Sequence, residues 1–255
     1  MTTGETTGGA GSPAPTVLVV QHEASTGAGR FGDWLAAAGV RLEVLHPYAG
    51  DDLPVVAAGL DGLLVLGGAM GPADDASCAW LPGARRLLAS AVALAVPTFG
   101  ICLGAELLAL ACGGEVRRGP AGPELGVLPM VAEPACADDP VFAAMPASAR
   151  VVQWHWEEIS ALPAGAVHLA SSPAYPVQAF RLGPAAWGVQ GHPEVTTEIT
   201  AAWAREDSPL LLAAGRSPED LVAEVADAQD ALGSVWQPVA AGFAARVHEA
   251  AAHRR

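Results

Sequence analysis

Positive charge is what this chain most lacks. Lys and Arg number 13 against 27 Asp and Glu, a formal net charge of −14 at pH 7 in 255 residues. No basic cluster exceeds Arg117-Arg118 or Arg254-Arg255. A surface that binds phosphate backbones by counterion release is therefore excluded, and the acidity serves solubility. Cysteine is also scarce. Cys78, Cys102, Cys112 and Cys136 include no Cys-x-x-Cys pair, and four thiols in a chain this long do not make a disulfide scaffold. They suit a reducing compartment, so a cytoplasmic location is expected. Apolar runs stop short of the roughly 18 residues a membrane span needs. The histidines lack zinc-ligand spacing, no phosphate-binding P-loop occurs, and the loop Gly67-Gly68-Ala69-Met70-Gly71 lacks G-x-G-x-x-G spacing, so no metal and no organic cofactor are expected. Met1 to Pro15 is rich in Thr, Gly, Ser and Pro without an apolar segment and reads as a disordered leader.

What remains is ample for one core. Hydrophobic residues make up 51% of the chain, and residues 16–255 read as a single domain. Continuous apolar runs at Thr16 to Val20, Leu42 to Leu45 and Gly62 to Leu66 read as buried strands. Helical patterns over Phe31 to Gly39 and Leu81 to Ala95 alternate with them. That alternation predicts an α/β fold with a mainly parallel, doubly wound sheet. From Val116 the texture changes. Short β-like runs at Gly126 to Ala132, Arg150 to Gln153, Val167 to Ser171, Val177 to Leu182 and Ala186 to Gln190 are punctuated by Pro and Gly, as in added antiparallel strands. Thr197 to Arg255 is Ala-rich and helical, with breaks at Ser208-Pro209 and Ser217-Pro218.

The most informative stretch is Gly100-Ile101-Cys102-Leu103-Gly104. An apolar run leads in and a helical pattern leads out, the setting of a nucleophile elbow on a sharp strand-to-helix turn. Free N–H groups at the following helix N-terminus favour a thiolate at Cys102. Taken alone, such a cysteine is as readily an inert buried thiol. Gly191-His192-Pro193-Glu194 removes most of that alternative. A cysteine nucleophile needs a base, and the base needs an orienting group. His192 and Glu194, two apart in extended backbone, share one side of the chain.

With these blocks the chain resembles the class I (triad-type) glutamine amidotransferases, specifically stand-alone relatives of the GMP synthase glutaminase domain. Asp61-Gly62-Leu63-Leu64-Val65-Leu66-Gly67-Gly68-Ala69-Met70, the elbow with Ala105 to Ala109, and Gly188-Val189-Gln190-Gly191-His192-Pro193-Glu194 carry the likeness. It implies a flavodoxin-like core and hydrolysis of a glutamine side-chain amide through a thioester on Cys102. His192 would act as base and acid and Glu194 would orient it. The likeness places the backbone of Gly68 and Leu103 in an oxyanion hole, and Gly67 and Glu106 at the substrate. Ammonia would pass to a separate synthase subunit. Relatives usually carry Gln where this chain has Glu106, so a γ-glutamyl amide is an alternative substrate and a free-standing γ-glutamyl hydrolase an alternative function. A PfpI-like hydrolase also uses an elbow cysteine, but the Gly-His-Pro-Glu block argues against it. A catalytically quiet interaction subunit is the reading of another class. His155 reads as structural, because nothing local supplies a partner. Trp154 and Trp156 read as packing rather than cavity wall, and Asp74-Asp75 as a solvated turn.

Overall fold

The computed structural model describes residues 13–254. Most of the leader and Arg255 lie outside the described residues, but Pro15 is already tied to the sheet, its carbonyl accepting from the Arg41 N–H at 2.8 Å. The chain begins β1 (Thr16–Val20), α1 (Gly29–Ala37), β2 (Arg41–Leu45), β3 (Gly62–Val65), α2 (Leu81–Ala93), β4 (Thr98–Ile101) and α3 (Leu103–Ala111). Next come β5 (Glu115–Arg118), β6 (Glu124–Ala132), β7 (Ser148–His155), β8 (Glu157–Ala161), β9 (Val167–Ser171), β10 (Ala179–Leu182) and β11 (Ala186–Val189). It closes with α4 (Thr197–Glu206), α5 (Ser208–Ala213) and α6 (Pro218–Arg254). The breaks between these last helices fall at the two Ser-Pro steps, where a proline is tolerated in a first turn because its missing N–H has no helical partner there.

Nine strands form one sheet in the order β2-β1-β3-β4-β11-β10-β9-β6-β7. From β2 through β11 the pairs are parallel, and from β11 through β7 they are antiparallel. The expected α/β class, a parallel core extended by antiparallel strands, is what forms.

Period-2 alternation in buried strands builds two cores, one on each face. Val17, Val19, Phe99 and Ile101 pack with Phe31 and Leu35 of α1 and Phe243 and Val247 of α6. Leu18, Val20, Leu63 and Val65 pack with Leu87 and Leu88 of α2 and Leu107 and Leu108 of α3. Each fully buried Leu, Val or Phe contributes roughly 1.5–3 kcal/mol. Helices on both faces leave the C-terminal ends of the parallel strands as the open rim, where ligands bind in such sheets.

One element has no counterpart in the sequence reading. β5 and β8 pair antiparallel as a separate two-stranded sheet. Glu-Val-Arg-Arg and Glu-Glu-Ile-Ser-Ala show little apolar alternation, so their strand character rests on cross-strand charge pairs. Arg117 meets Glu158 at 2.8 Å and Arg118 meets Glu157 at 3.4 Å. This small sheet stands over the open rim and supplies one wall of the site.

Candidate active site

Cys102 is the hinge of the β4–α3 turn, with φ 50° and ψ −111°. That is a sparsely populated conformation for a side-chain-bearing residue, costing of order 1–3 kcal/mol, and it persists only where the surroundings impose it. Close packing imposes it here. A Cβ on Gly104 would lie 2.0 Å from the Val65 carbonyl oxygen, and one on Gly100 would lie 2.6 Å from that of Gly104. Only glycine lets the helix start so near the strands. The Cys102 N–H donates to the Val189 carbonyl at 2.8 Å, and the Leu103 N–H points at its sulfur.

Strand order brings the distant histidine to this cysteine. β11 lies beside β4 with Val189 opposite Ile101, so Cys102 and the segment from Gln190 to Glu194 leave the sheet at the same rim. The His192 N–H then anchors on Val152 of β7 at 2.7 Å. His192 Nδ1 lies 2.8 Å from Glu194 Oε1, and both side chains are buried. A carboxylate acceptor on Nδ1 places the neutral ring's proton there and leaves Nε2 as the basic nitrogen. Gly67, two residues beyond β3, brings the groups together. Its missing Cβ would sit 3.0 Å from the His192 ring and 3.6 Å from the Cys102 Cβ.

These residues open into a cavity of about 290 Å³ whose wall includes Gly68, Met70, Cys102, Glu106, His192 and Trp203. A thiol, an imidazole and a carboxylate in this sequence at a cavity can carry out acyl transfer from an amide.

The family model for class-I glutamine amidotransferases matches residues 33–203. The chain belongs to the class I glutamine amidotransferase family. It is 31% identical over 185 residues to the glutamine amidotransferase-like protein YfeJ of Salmonella typhimurium, covering 71% of this chain and 77% of that one. Shorter matches are to gamma-glutamyl peptidase 4 of Arabidopsis thaliana, 36% identical over 39% of this chain and 41% of the relative, and to a glutamine-hydrolysing GMP synthase subunit of Archaeoglobus fulgidus, 39% identical over 40% and 54%. In structure it resembles a glutamine amidotransferase of Thermotoga maritima, with TM-score 0.81 and 25% identity over 91% of this chain and 98% of that one.

The electrostatics of this amidotransferase-family site correct one expectation. Burial pushes the Cys102 thiol well above the ordinary range, and the neighbouring carboxylates of Glu106 and Glu194 push it further; the Leu103 N–H opposes them without prevailing. The resting residue is therefore a thiol, and the helix N-terminus alone does not ionise it. Glu106, only 3% exposed, is itself raised to about 7, first by burial and against the hydrogen bond that Gln190 donates to it. That Gln190 Nε2–Glu106 Oε1 bond is 2.8 Å.

Gly68 lines the cavity, with Leu103 packed against it: a Cβ there would meet the Leu103 side chain at 3.1 Å. Gly67 lies behind, against His192 and Cys102. His155 does have a partner, from distant chain. Its Nε2 is 3.1 Å from Glu124 Oε2 and its Nδ1 2.7 Å from the Glu157 carbonyl. Trp154 and Trp156 both pack and form cavity wall. Glu23, Thr26, Trp203, Glu206 and Asp207 also line the cavity. No local pattern marks these five, because loop crossings and the end of α4 assemble them. Asp74 and Asp75 form a turn, with Asp75 bound to Arg85 at 2.6 Å. Among the described residues no group of three or more His, Cys, Asp or Glu could hold a metal ion, and no helix is long and apolar enough to cross a membrane.

Proposed function

We propose that this chain hydrolyses the side-chain amide of glutamine or of a γ-glutamyl compound. The observation that carries the reading is His192, held by the buried Glu194 and lining the same cavity as the strained Cys102 elbow. His192 Nε2 takes the proton of the neutral Cys102 thiol as sulfur attacks the amide carbon. Gly68 and Leu103 supply backbone N–H groups to the oxyanion. His192 then hands the proton to the departing nitrogen, and the C–N bond breaks. Water resolves the thioester to glutamate, restoring the thiol. Gly67 keeps Cys102 and His192 at working distance, and Glu106 contacts the substrate. No metal or organic cofactor enters these steps, and four unpaired cysteines suit a cytoplasmic setting. A relative that is a GMP synthase subunit supports delivery of ammonia to a separate synthase.

A second reading, a free-standing γ-glutamyl hydrolase, is favoured by Glu106. Its carboxyl group stands where relatives usually carry an amide, in a cavity rich in other carboxylates. Glutamate release by the purified chain from glutamine and from γ-glutamyl methylamide tests both. Turnover that disappears in Cys102→Ala supports hydrolysis. Absence of turnover on every γ-glutamyl amide would favour a quiet interaction subunit instead.

A further inference from the structure

The cavity wall is unevenly charged. Glu23, Glu106, Glu157, Glu206 and Asp207 face it against one cation, Arg118, which is 69% exposed and 3.4 Å from Glu157. Glu23, Glu206 and Asp207 form no ion pair among the described residues. Each accepts from a neutral donor instead: Thr26 Oγ1 at 2.6 Å, Ser25 Oγ at 3.0 Å and Trp154 Nε1 at 2.8 Å respectively. Deeper in, the buried Glu106 lines the same cavity, and its Oε2 has no partner among the described residues although Oε1 is engaged.

These three carboxylates belong to the histidine side of the site. Glu206 and Asp207 close α4, whose Trp203 sets its ring edge-on to His192 at 4.7 Å between centroids. Trp203 Nε1 donates to the Ser25 carbonyl at 3.2 Å, which ties in the loop that carries Glu23. Trp154 packs on Trp203 at 5.8 Å. In amide hydrolysis the base returns its proton to the leaving nitrogen, so the leaving amine departs past the base. The groups on the base's side of the cavity here are Trp203, Trp154 and the three carboxylates. Arg118 belongs to the other wall, on the β5–β8 sheet. Uncompensated anions in a partly shielded cavity repel an anionic leaving group and attract a cation. The tryptophan rings add cation–π attraction.

We propose that the leaving half of the substrate is a cation. The chain would hydrolyse the γ-glutamyl amide of an alkyl diamine, holding the distal ammonium among Glu23, Glu206 and Asp207. This rests on the γ-glutamyl hydrolase reading. A basic amino acid fits less well as leaving group, because its own carboxylate would enter the same negative field. The chemistry balances with water alone. The γ-amide C–N bond breaks as the C–S bond forms, and the amine takes the proton that Cys102 gave to His192. Water then cleaves the thioester to glutamate and thiol.

The test compares four substrates on the wild-type chain: the γ-glutamyl monoamide of 1,4-diaminobutane, γ-glutamyl n-butylamide, γ-glutamyl 4-aminobutyrate, and glutamine. The cationic amide should exceed the neutral butylamide in kcat/KM by about tenfold, as expected of one charge facing the half-buried Glu23 and Asp207, the exposed Glu206 and the aromatic rings. The anionic amide should be the poorest. In Glu206→Gln/Asp207→Asn the cationic-to-neutral ratio should fall towards one, and 0.5 M salt should lower it in the wild type. Equal or better turnover of the neutral or anionic amide would overturn the cationic preference while leaving hydrolysis intact. No Cys102-dependent turnover of any amide would overturn the hydrolase reading, and the cationic preference with it.

Discussion

Cys102, His192 and Glu194 act as one unit in the proposed reaction, so their losses should not multiply. Because burial and two carboxylates keep the Cys102 thiol protonated, the imidazole is needed from the first step. Cys102→Ala and His192→Ala should each lower kcat by roughly four orders of magnitude or more, and the double variant should be little worse. Glu194→Gln should lose about tenfold to a hundredfold less, since it orients rather than reacts. Losses that multiplied in steady-state kinetics would break the unit apart. Glu106 gives a second test. With its carboxyl raised to about 7, it is neutral and able to donate below that pH, and an anion above it. Ionised, it pushes the thiol further up and repels an α-carboxylate. For glutamine, kcat/KM of the wild type should therefore fall as pH rises through about 7, and Glu106→Gln should lose that limb. The gain in the variant should be largest near pH 8 and vanish near pH 5.5. An equal ratio of variant to wild type at all pH values would confine Glu106 to a structural role.

At the scale of elements, the elbow depends on how closely α3 approaches the strands. Gly104 lies against the Val65 carbonyl so tightly that an added Cβ would meet it at 2.0 Å. Because the obstacle is backbone, it cannot rotate away. Gly104→Ala should destabilise the fold by about 1–3 kcal/mol or more, lowering the melting midpoint by about 5 °C. It should also lower kcat by tilting α3 and with it the Leu103 N–H. A variant with unchanged melting temperature would mean that α3 has slack the packing does not show. The β5–β8 sheet carries the complementary lesson. Its strands are held by charge pairs rather than apolar alternation, so hydrophobic periodicity gives no warning of a wall that reaches the cavity.

For the whole molecule, buried ionisable groups set the pH dependence of stability. His22 is fully buried, its Nδ1 accepts from Trp80 Nε1 at 3.0 Å, and burial lowers it to about 4. In the unfolded chain a histidine titrates near 6.5. Unfolding therefore takes up a proton between these values, and the contribution of His22 is complete above pH 6.5 and lost as pH falls towards 4. Two and a half pH units correspond to about 3 kcal/mol. Glu106 has the opposite sign. Raised above its unfolded value, it is neutral in the fold at no cost below about 4.5 and destabilises as pH rises through about 7. Urea titrations of His22→Asn and Glu106→Gln separate the two. The first should flatten the acid loss of stability, and the second should gain over wild type progressively as pH rises above about 4.5, levelling off above about 7. An acid limb identical in His22→Asn would remove His22 as its cause.

The sequence by itself determined the α/β class, the parallel core and the breaks between the C-terminal helices, and it marked Cys102, His192 and Glu194 as candidates. These are local facts, since glycine spacing, apolar runs and Ser-Pro steps act over a few residues. Only the tertiary structure decided which groups surround them. His155 gained Glu124 across 31 positions, and Glu106 gained Gln190 across 84. Trp203, Glu206 and Asp207 came to the histidine because α4 returns over the rim of the sheet. Protonation was decided there too. A helix N-terminus favours a thiolate in any sequence that has one, and Glu106 one helical turn on opposes it, but the burial that outweighs both and the approach of Glu194 come only with the fold.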